Sequence, residues 1–333
     1  MIERISVIGA GGWGTAIAVM LAGKGYDVRL WVFEKDLCDI IKDKKENSIY
    51  LPKVLLPENV TVTNSLQEAV DESAMIVHVV PSQFTREVLR RLVPNISGDP
   101  IIVCCTKGIE TETLLPMSGV FKETLPERLH SKLSFLSGPS FAKEVVKRLP
   151  TAVSVASYEK EIGLTVQSVF NTSYFRVYTN SDVIGVELGG ALKNVIAIAA
   201  GVSDGLGLGH SSRAALITRG LTEITRLGVA MGANASTFAG LSGLGDLVLT
   251  ATGELSRNRT VGYKLGQGMK LNDILSDMKM IAEGVNTTAA AYQLSKKYGV
   301  EMPITEQMYR LLYEDIEPRD VVTVLMKREL KAE

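Results

Sequence analysis

Lys193 occupies the run Gly189-Gly190-Ala191-Leu192-Lys193-Asn194. On a helix, the residues one turn from this lysine on its own face are Gly189, Gly190 and Ala197, so its amine projects from a surface stripped of bulk. Two glycines inside a helix cost about 1 kcal/mol each against alanine, which means that something must come close there. Packing of one helix on another also selects small residues, but a lysine does not suit such a seam. A partly desolvated lysine titrates nearer neutrality and can give and recover a proton, as reduction of a carbonyl requires. Downstream, Gly240-Leu241-Ser242-Gly243-Leu244-Gly245-Asp246 sets an acid on a glycine-rich turn, and Thr250 falls one turn later if a helix begins at Asp246. Arg257, between Ser256 and Asn258, offers a guanidinium fork and neutral donors, a set suited to a phosphate dianion. Arginines also crowd solvated helix ends, so that segment alone does not decide between the two.

A second constellation lies at the other end of the chain. The apolar run Ile5-Ser6-Val7-Ile8 ends at Gly9, and Gly9, Gly11 and Gly14 have the G-x-G-x-x-G spacing of a dinucleotide-binding turn. Gly9 permits the tight turn, Gly11 lets a pyrophosphate approach bare backbone, and Gly14 lets the next helix pack on the strand. That helix, expected over Thr15 to Lys24, presents free N–H groups to the phosphates. Glu34 stands about 20 residues past the last glycine, where an acid accepts from ribose hydroxyls, although a solvated Glu at a helix start reads the same way. Phe33 either stacks on adenine or belongs to the core.

These residues need a scaffold. Strands are expected at Asp27 to Val32, Val60 to Val62, Ala74 to Val80 and Pro100 to Cys105, with helices between, including Ser65 to Val70 and one carrying Phe84, Val88, Leu89 and Leu92. The run Ala74 to Val80 is too apolar for a one-faced strand and suits a parallel sheet covered on both sides. Ligands of such sheets lie beyond the carboxyl ends of the strands, which gathers Gly9, Glu34, Pro81 and Lys107 at one edge. Further strands are expected at Leu133 to Leu136, Ala152 to Val155 and Phe175 to Tyr178. From residue 182 the apolar period becomes helical, with Leu188, Leu192, Val195, Ile196 and Ala199 on one face. The fold class is therefore α/β, a doubly wound dinucleotide-binding domain over 1–182 followed by an all-α domain over 183–333. The alternating glycines of Gly205 to Gly209 read as a mobile connection.

Bulk properties set exclusions. A chain of 333 residues exceeds one ordinary core, which agrees with two domains. A net charge of −1 gives no general attraction to nucleic acid or anionic membranes. Unbroken apolar runs such as Val195 to Ala200 fall short of the roughly 18 residues of a membrane span, so no integral membrane segment is expected. The start, Met1-Ile2-Glu3-Arg4, shows no leader, and Cys38, Cys104 and Cys105 suit a reducing compartment, so a cytoplasmic location is expected. His78, His130 and His210 have no ligand spacing with the cysteines, and no metal is expected.

Six motifs together resemble the sn-glycerol-3-phosphate dehydrogenases that use nicotinamide dinucleotides, of the soluble bacterial type. They are Gly9 to Thr15, Thr106-Lys107-Gly108, Gly138-Pro139-Ser140-Phe141-Ala142, Gly190 to Asn194, Gly243 to Asp246, and Ser256 to Arg259. The resemblance runs from about residue 4 to 325. It implies that Lys193 is the acid/base and that Lys107, Gly138, Ser140, Asp246, Ser256, Arg257 and Asn258 line the substrate site. It places cofactor contacts at Gly12, Trp13, Phe33, Lys107, Ala142, Arg257, Ile281 and Glu283. Many bacterial members carry a basic residue at the position of Phe33 for the extra phosphate of NADP. Here NAD is expected to be accepted, and NADP stays open because Lys35 can turn inward.

The reaction so implied is hydride transfer between NAD(P)(H) and the dihydroxyacetone phosphate/sn-glycerol 3-phosphate pair, supplying glycerol 3-phosphate for phospholipid synthesis. Lys193 would protonate the forming alkoxide, Lys107 and Asn194 would stabilise it, and Asp246 would charge-balance Lys193, with Thr250 in the same shell. Arg257 and Asn258 would grip the phosphate. Rival readings are a related two-domain hydroxy-acid dehydrogenase, which needs a carboxylate clamp at Ser256 to Asn258, and a cofactor-binding sensor without catalysis. A homodimer is one expectation for the assembly.

Overall fold

The computed structural model describes residues 2–278 and 281–330. The chain divides into two compact units, Met1–Lys107 with Leu115–Glu187, and Gly108–Leu114 with Leu188–Glu333.

The first unit alternates β1 (Arg4–Ile8), α1 (Gly12–Ala22), β2 (Asp27–Trp31), α2 (Lys35–Lys44), β3 (Val60–Thr63), α3 (Leu66–Val70), β4 (Met75–His78), α4 (Thr85–Leu92), β5 (Ile101–Cys104) and α5 (Met117–Thr124). It continues through β6 (Leu133–Ser137), α6 (Ala142–Val145), β7 (Thr151–Ser157), α7 (Lys160–Phe170) and β8 (Phe175–Asn180). These eight strands form one sheet in the order β3-β2-β1-β4-β5-β6-β7-β8. The first six run parallel, whereas β7 is antiparallel to β6 and parallel to β8. Alternation along each strand sorts two cores: Val7, Leu30, Val77 and Val103 pack on one face, Ile8, Trp31, Ile76 and Ile102 on the other. Cys105 joins the first core and Cys104 the second, both buried, and burial pushes the Cys105 thiol up to about 12. Burial disfavours the reactive thiolate at both cysteines.

Some expected bounds shift. Helix α1 begins at Gly12 rather than Thr15, because the turn ends at Gly11 and the helix takes the remaining glycines into its first turn. Strand β4 stops at His78, two residues before Val80. Phe84 is 49% exposed and lies outside the core that Val88, Leu89 and Leu92 join.

The second unit is helical: α8 (Val183–Gly205), which begins in the first unit, then α9 (Gly209–Ala230), α10 (Ala235–Phe238), α11 (Asp246–Thr252), α12 (Arg257–Gly266), α13 (Leu271–Ser276), α14 (Glu283–Tyr298), α15 (Pro303–Tyr313) and α16 (Pro318–Met326). Among the described residues, helix α8 alone has the length and composition of a membrane span, longer than the unbroken apolar runs suggested. Its most apolar 18-residue window has a mean hydropathy of 1.6, but 94% of that window is buried inside the protein, as in a core helix. Interspersed small and polar residues broke the apolar runs in the sequence without making the helix polar. Helices α8 and α12 meet backbone to backbone. A β-carbon on Gly201 or Gly205 would overlap the main chain of Arg259 or Tyr263, and one on Gly262 or Gly266 that of Ile198 or Val202. Asp204 locks this seam with Arg259, whose Nε donates at 2.9 Å, and with Arg213 at 3.1 Å. The segment between α8 and α9 is thus a short turn beside a half-buried ion cluster. Buried Glu223 of α9 accepts the Ile304 and Thr305 N–H groups at 2.7 and 3.1 Å, capping α15.

Candidate active site

In the first unit the glycine turn has the predicted geometry. Gly9 has φ +113°, a left-handed conformation, and a β-carbon there would sit 2.9 Å from Val79 O. A β-carbon on Gly14 would overlap Gly9 O, so strand end and helix meet at the closest approach backbone permits. At Gly11 the same test meets nothing within 4 Å. No side chain caps α1, so its first N–H groups face the turn. This open cradle at a helix N-terminus fits a dinucleotide pyrophosphate. Gly12 and Ala142 adjoin, at 4.0 Å between their β-carbon positions. Trp13 packs beside Phe175, and its buried Nε1 has no partner among the described residues.

At the end of β2, Phe33 is 59% exposed, which removes the core reading. Its ring meets Trp31 edge-on at 6.0 Å and lies 6.0 Å from the Arg91 guanidinium. Exposed Glu34 accepts from the Tyr50 hydroxyl at 3.3 Å. Tyr50 was not anticipated; its only signal was an aromatic residue in the proline-punctuated loop Tyr50-Leu51-Pro52. After β5, Lys107 Nζ donates to Gly138 O at 2.9 Å, and Ser140 Oγ donates to the same oxygen at 3.1 Å. Gly138 has φ +144°, and a β-carbon there would meet Val153 Cα at 2.8 Å. Three predicted substrate residues thus share one carbonyl. Thr106 beside them donates to Val80 O at 2.7 Å and neighbours His78, which burial holds neutral with a pKa lowered to about 3.

In the second unit, Lys193 Nζ donates to Asp246 Oδ1 at 2.6 Å and to Thr250 Oγ1 at 2.7 Å. Asp246 opens α11, and Thr250, one turn on, lies 3.3 Å from the same carboxylate oxygen. The glycines around Lys193 now have a partner. A β-carbon on Gly189 would meet Ser242 O at 2.7 Å, in the wide turn Leu241–Gly245 that precedes Asp246. That turn closes with Gly245 N–H donating to Gly240 O at 3.1 Å, a π-type bond. Bulk is absent from α8 so that this turn can carry the acid to the amine. All three side chains are buried.

Asn194, next on α8, accepts from Asn258 Nδ2 at 2.8 Å. Asn258 lies in the first turn of α12, whose start is capped by buried Ser256 accepting from Arg259 N at 3.2 Å. Ser256 therefore has a folding role whatever else it touches. Arg257 is exposed, and its Nη1 donates to Ile281 O at 2.8 Å, which joins two predicted cofactor residues. Glu283 opens α14. Gly284 was missed: its N–H donates to Asn258 Oδ1 at 2.9 Å. Nothing in Ala282-Glu283-Gly284-Val285 distinguished that glycine from a loop residue.

Comparison with known proteins adds an independent line. The model of the N-terminus of NAD-dependent glycerol-3-phosphate dehydrogenase matches residues 4–163, and the model of its C-terminus matches residues 182–323. A glycerol-3-phosphate dehydrogenase (NAD(P)+) of Citrifermentans bemidjiense is 56% identical over 333 residues, with 100% of this chain and 99% of that protein covered. One from Geobacter sulfurreducens gives the same figures. The crystal structure of glycerol-3-phosphate dehydrogenase from Coxiella burnetii superposes with a TM-score of 0.94 at 41% identity, covering 98% of this chain and 99% of that one.

Proposed function

This chain belongs to the NAD-dependent glycerol-3-phosphate dehydrogenase family, and from that premise we propose that it interconverts dihydroxyacetone phosphate and sn-glycerol 3-phosphate. The observation that carries the reading is the buried Lys193 amine, held by Asp246 and Thr250 on a helix thinned to admit them. When bound, NAD(P)H supplies the hydride that reaches the ketone carbon. As that carbon is reduced, charge develops on the ketone oxygen, and Lys193 as ammonium gives it a proton, ending as a neutral amine that recovers a proton from solvent. Asp246 and Thr250 hold the amine in place before transfer. Asn194 donates to the developing alkoxide, an electrostatic contribution strongest where water is excluded. Arg257 grips the phosphate, and its remote binding energy orients the ketone.

Gly9, Gly11, Gly12, Trp13 and Gly14 would hold the pyrophosphate, with Phe33 and Glu34 at the adenosine end. Residues 1–182 form the dinucleotide-binding half, and 183–333 carry the acid/base lysine and the arginine that grips the phosphate. The product would feed glycerophospholipid synthesis. A cytoplasmic homodimer belongs to the same reading, supported for the compartment by three buried free thiols. The test is to follow NADH and NADPH oxidation separately with dihydroxyacetone phosphate. Turnover dependent on the phosphorylated ketone supports the reading. No turnover with either cofactor, or equal turnover of unphosphorylated keto acids, overturns it.

A further inference from the structure

Gly284 N–H donates to Asn258 Oδ1 at 2.9 Å, and Asn258 Nδ2 donates to Asn194 Oδ1 at 2.8 Å. A peptide nitrogen can only donate, so Gly284 decides which end of the Asn258 amide is oxygen. The NH2 end is thereby turned to Asn194, which must answer with its own oxygen. Both asparagines are buried, at 4% and 8% exposure, where a reversed amide would set like against like. Gly284 is the second residue of α14, so its N–H has no carbonyl to meet inside the helix. A β-carbon on Gly284 would fall 2.7 Å from Asn258 Oδ1 and 2.9 Å from Asn194 O, so the contact requires glycine. The backbone contact between α8 and α12 fixes the spacing of the two asparagines.

We propose that Asn258 is a positioning residue, which through the relay from Gly284 holds the Asn194 amide with its NH2 as the donor to the reacting carbonyl oxygen. The family resemblance gave Asn258 to the phosphate; here one of its N–H bonds and its oxygen are engaged in orienting a neighbour. The inference rests on the dehydrogenase reading above.

The experiment compares the full-length protein with Asn258→Ala, Asn194→Ala and the double variant, using dihydroxyacetone phosphate and unphosphorylated dihydroxyacetone. Loss of one oriented donor predicts that Asn258→Ala lowers kcat/KM by about 10²-fold with both substrates, and lowers kcat rather than raising KM with the phosphorylated one. The double variant should be no slower than Asn194→Ala, since the two act as a unit. A loss confined to the phosphorylated substrate, or losses that multiply in the double variant, would overturn the proposal. Independently of turnover, hydrogen exchange at the Gly284 amide should quicken in Asn258→Ala, and unchanged exchange would overturn the relay. If Asn258→Ala does not fold, Asn258→Ser, too short to span Gly284 and Asn194, takes its place. A wild-type protein that turns over neither substrate defeats the dehydrogenase reading instead, while the exchange measurement still judges the relay.

Discussion

Lys193 and Asp246 are 53 positions apart in the chain and meet at 2.6 Å, with 7% and 1% of their surfaces exposed. Removing one member of a buried ion pair leaves an uncompensated charge and costs about 3–5 kcal/mol. Asp246→Asn keeps the shape and removes the charge. We expect a lower denaturant midpoint and a fall in kcat of about 10²-fold or more, measured by equilibrium unfolding and steady-state rates. Unchanged stability and rate would show that the carboxylate is a bystander.

Arg257 is exposed on the first turn of α12, where it touches Ile281 O. A charge-assisted contact to phosphate is worth about 2–3 kcal/mol, or 10²-fold in kcat/KM. Arg257→Ala should lose that much with dihydroxyacetone phosphate and little with dihydroxyacetone. Equal loss with both substrates would remove it from the phosphate site.

Buried Glu187 accepts Ser118 N–H at 2.7 Å through one oxygen, while its other oxygen has no partner among the described residues. Burial raises its pKa from 4.5 to about 7, against the pull of Ser118 and the Lys122 charge, and Cys104 is its other titratable neighbour. The fold therefore favours the protonated carboxyl. Its stabilisation is full below pH 4.5 and is lost as pH rises through about 7, a change of about 3 kcal/mol. Glu187→Gln should flatten stability between pH 5 and 8 as read by denaturant unfolding; an unaltered pH dependence would place the titration elsewhere.

Glu34, held by the Tyr50 hydroxyl at 3.3 Å, puts a carboxylate at the end of β2 beside exposed Phe33. A carboxylate accepts from ribose hydroxyls and repels an added phosphate. Glu34→Ala should tighten NADPH relative to NADH by about tenfold in fluorescence titrations, the worth of roughly 1.4 kcal/mol. A constant ratio would mean that Glu34 does not face the ribose.

The strand ends were legible because apolar runs stop where side chains must turn polar, so Gly9, Pro81 and Lys107 could be located from pattern alone. The reversal of β7 was not, since antiparallel and parallel strands read alike when both faces are buried. At Lys193 the missing bulk signalled a close neighbour, but only the fold identified it as the turn before Asp246. Thr250 followed from helical spacing. The bond from Gly284 to Asn258 left no trace, because a backbone N–H belongs to every residue and only tertiary packing selects which one donates. Asp204, with arginines 9 and 55 positions away, was hidden for the same reason.

The most direct measurement compares Lys193→Ala with the wild type for NADH binding and for oxidation of NADH by dihydroxyacetone phosphate. NADH affinity should stay within about twofold while kcat falls by about 10²–10⁴-fold, the range of a lost general acid. Turnover at the wild-type rate with Lys193 removed would contradict its place as the proton donor.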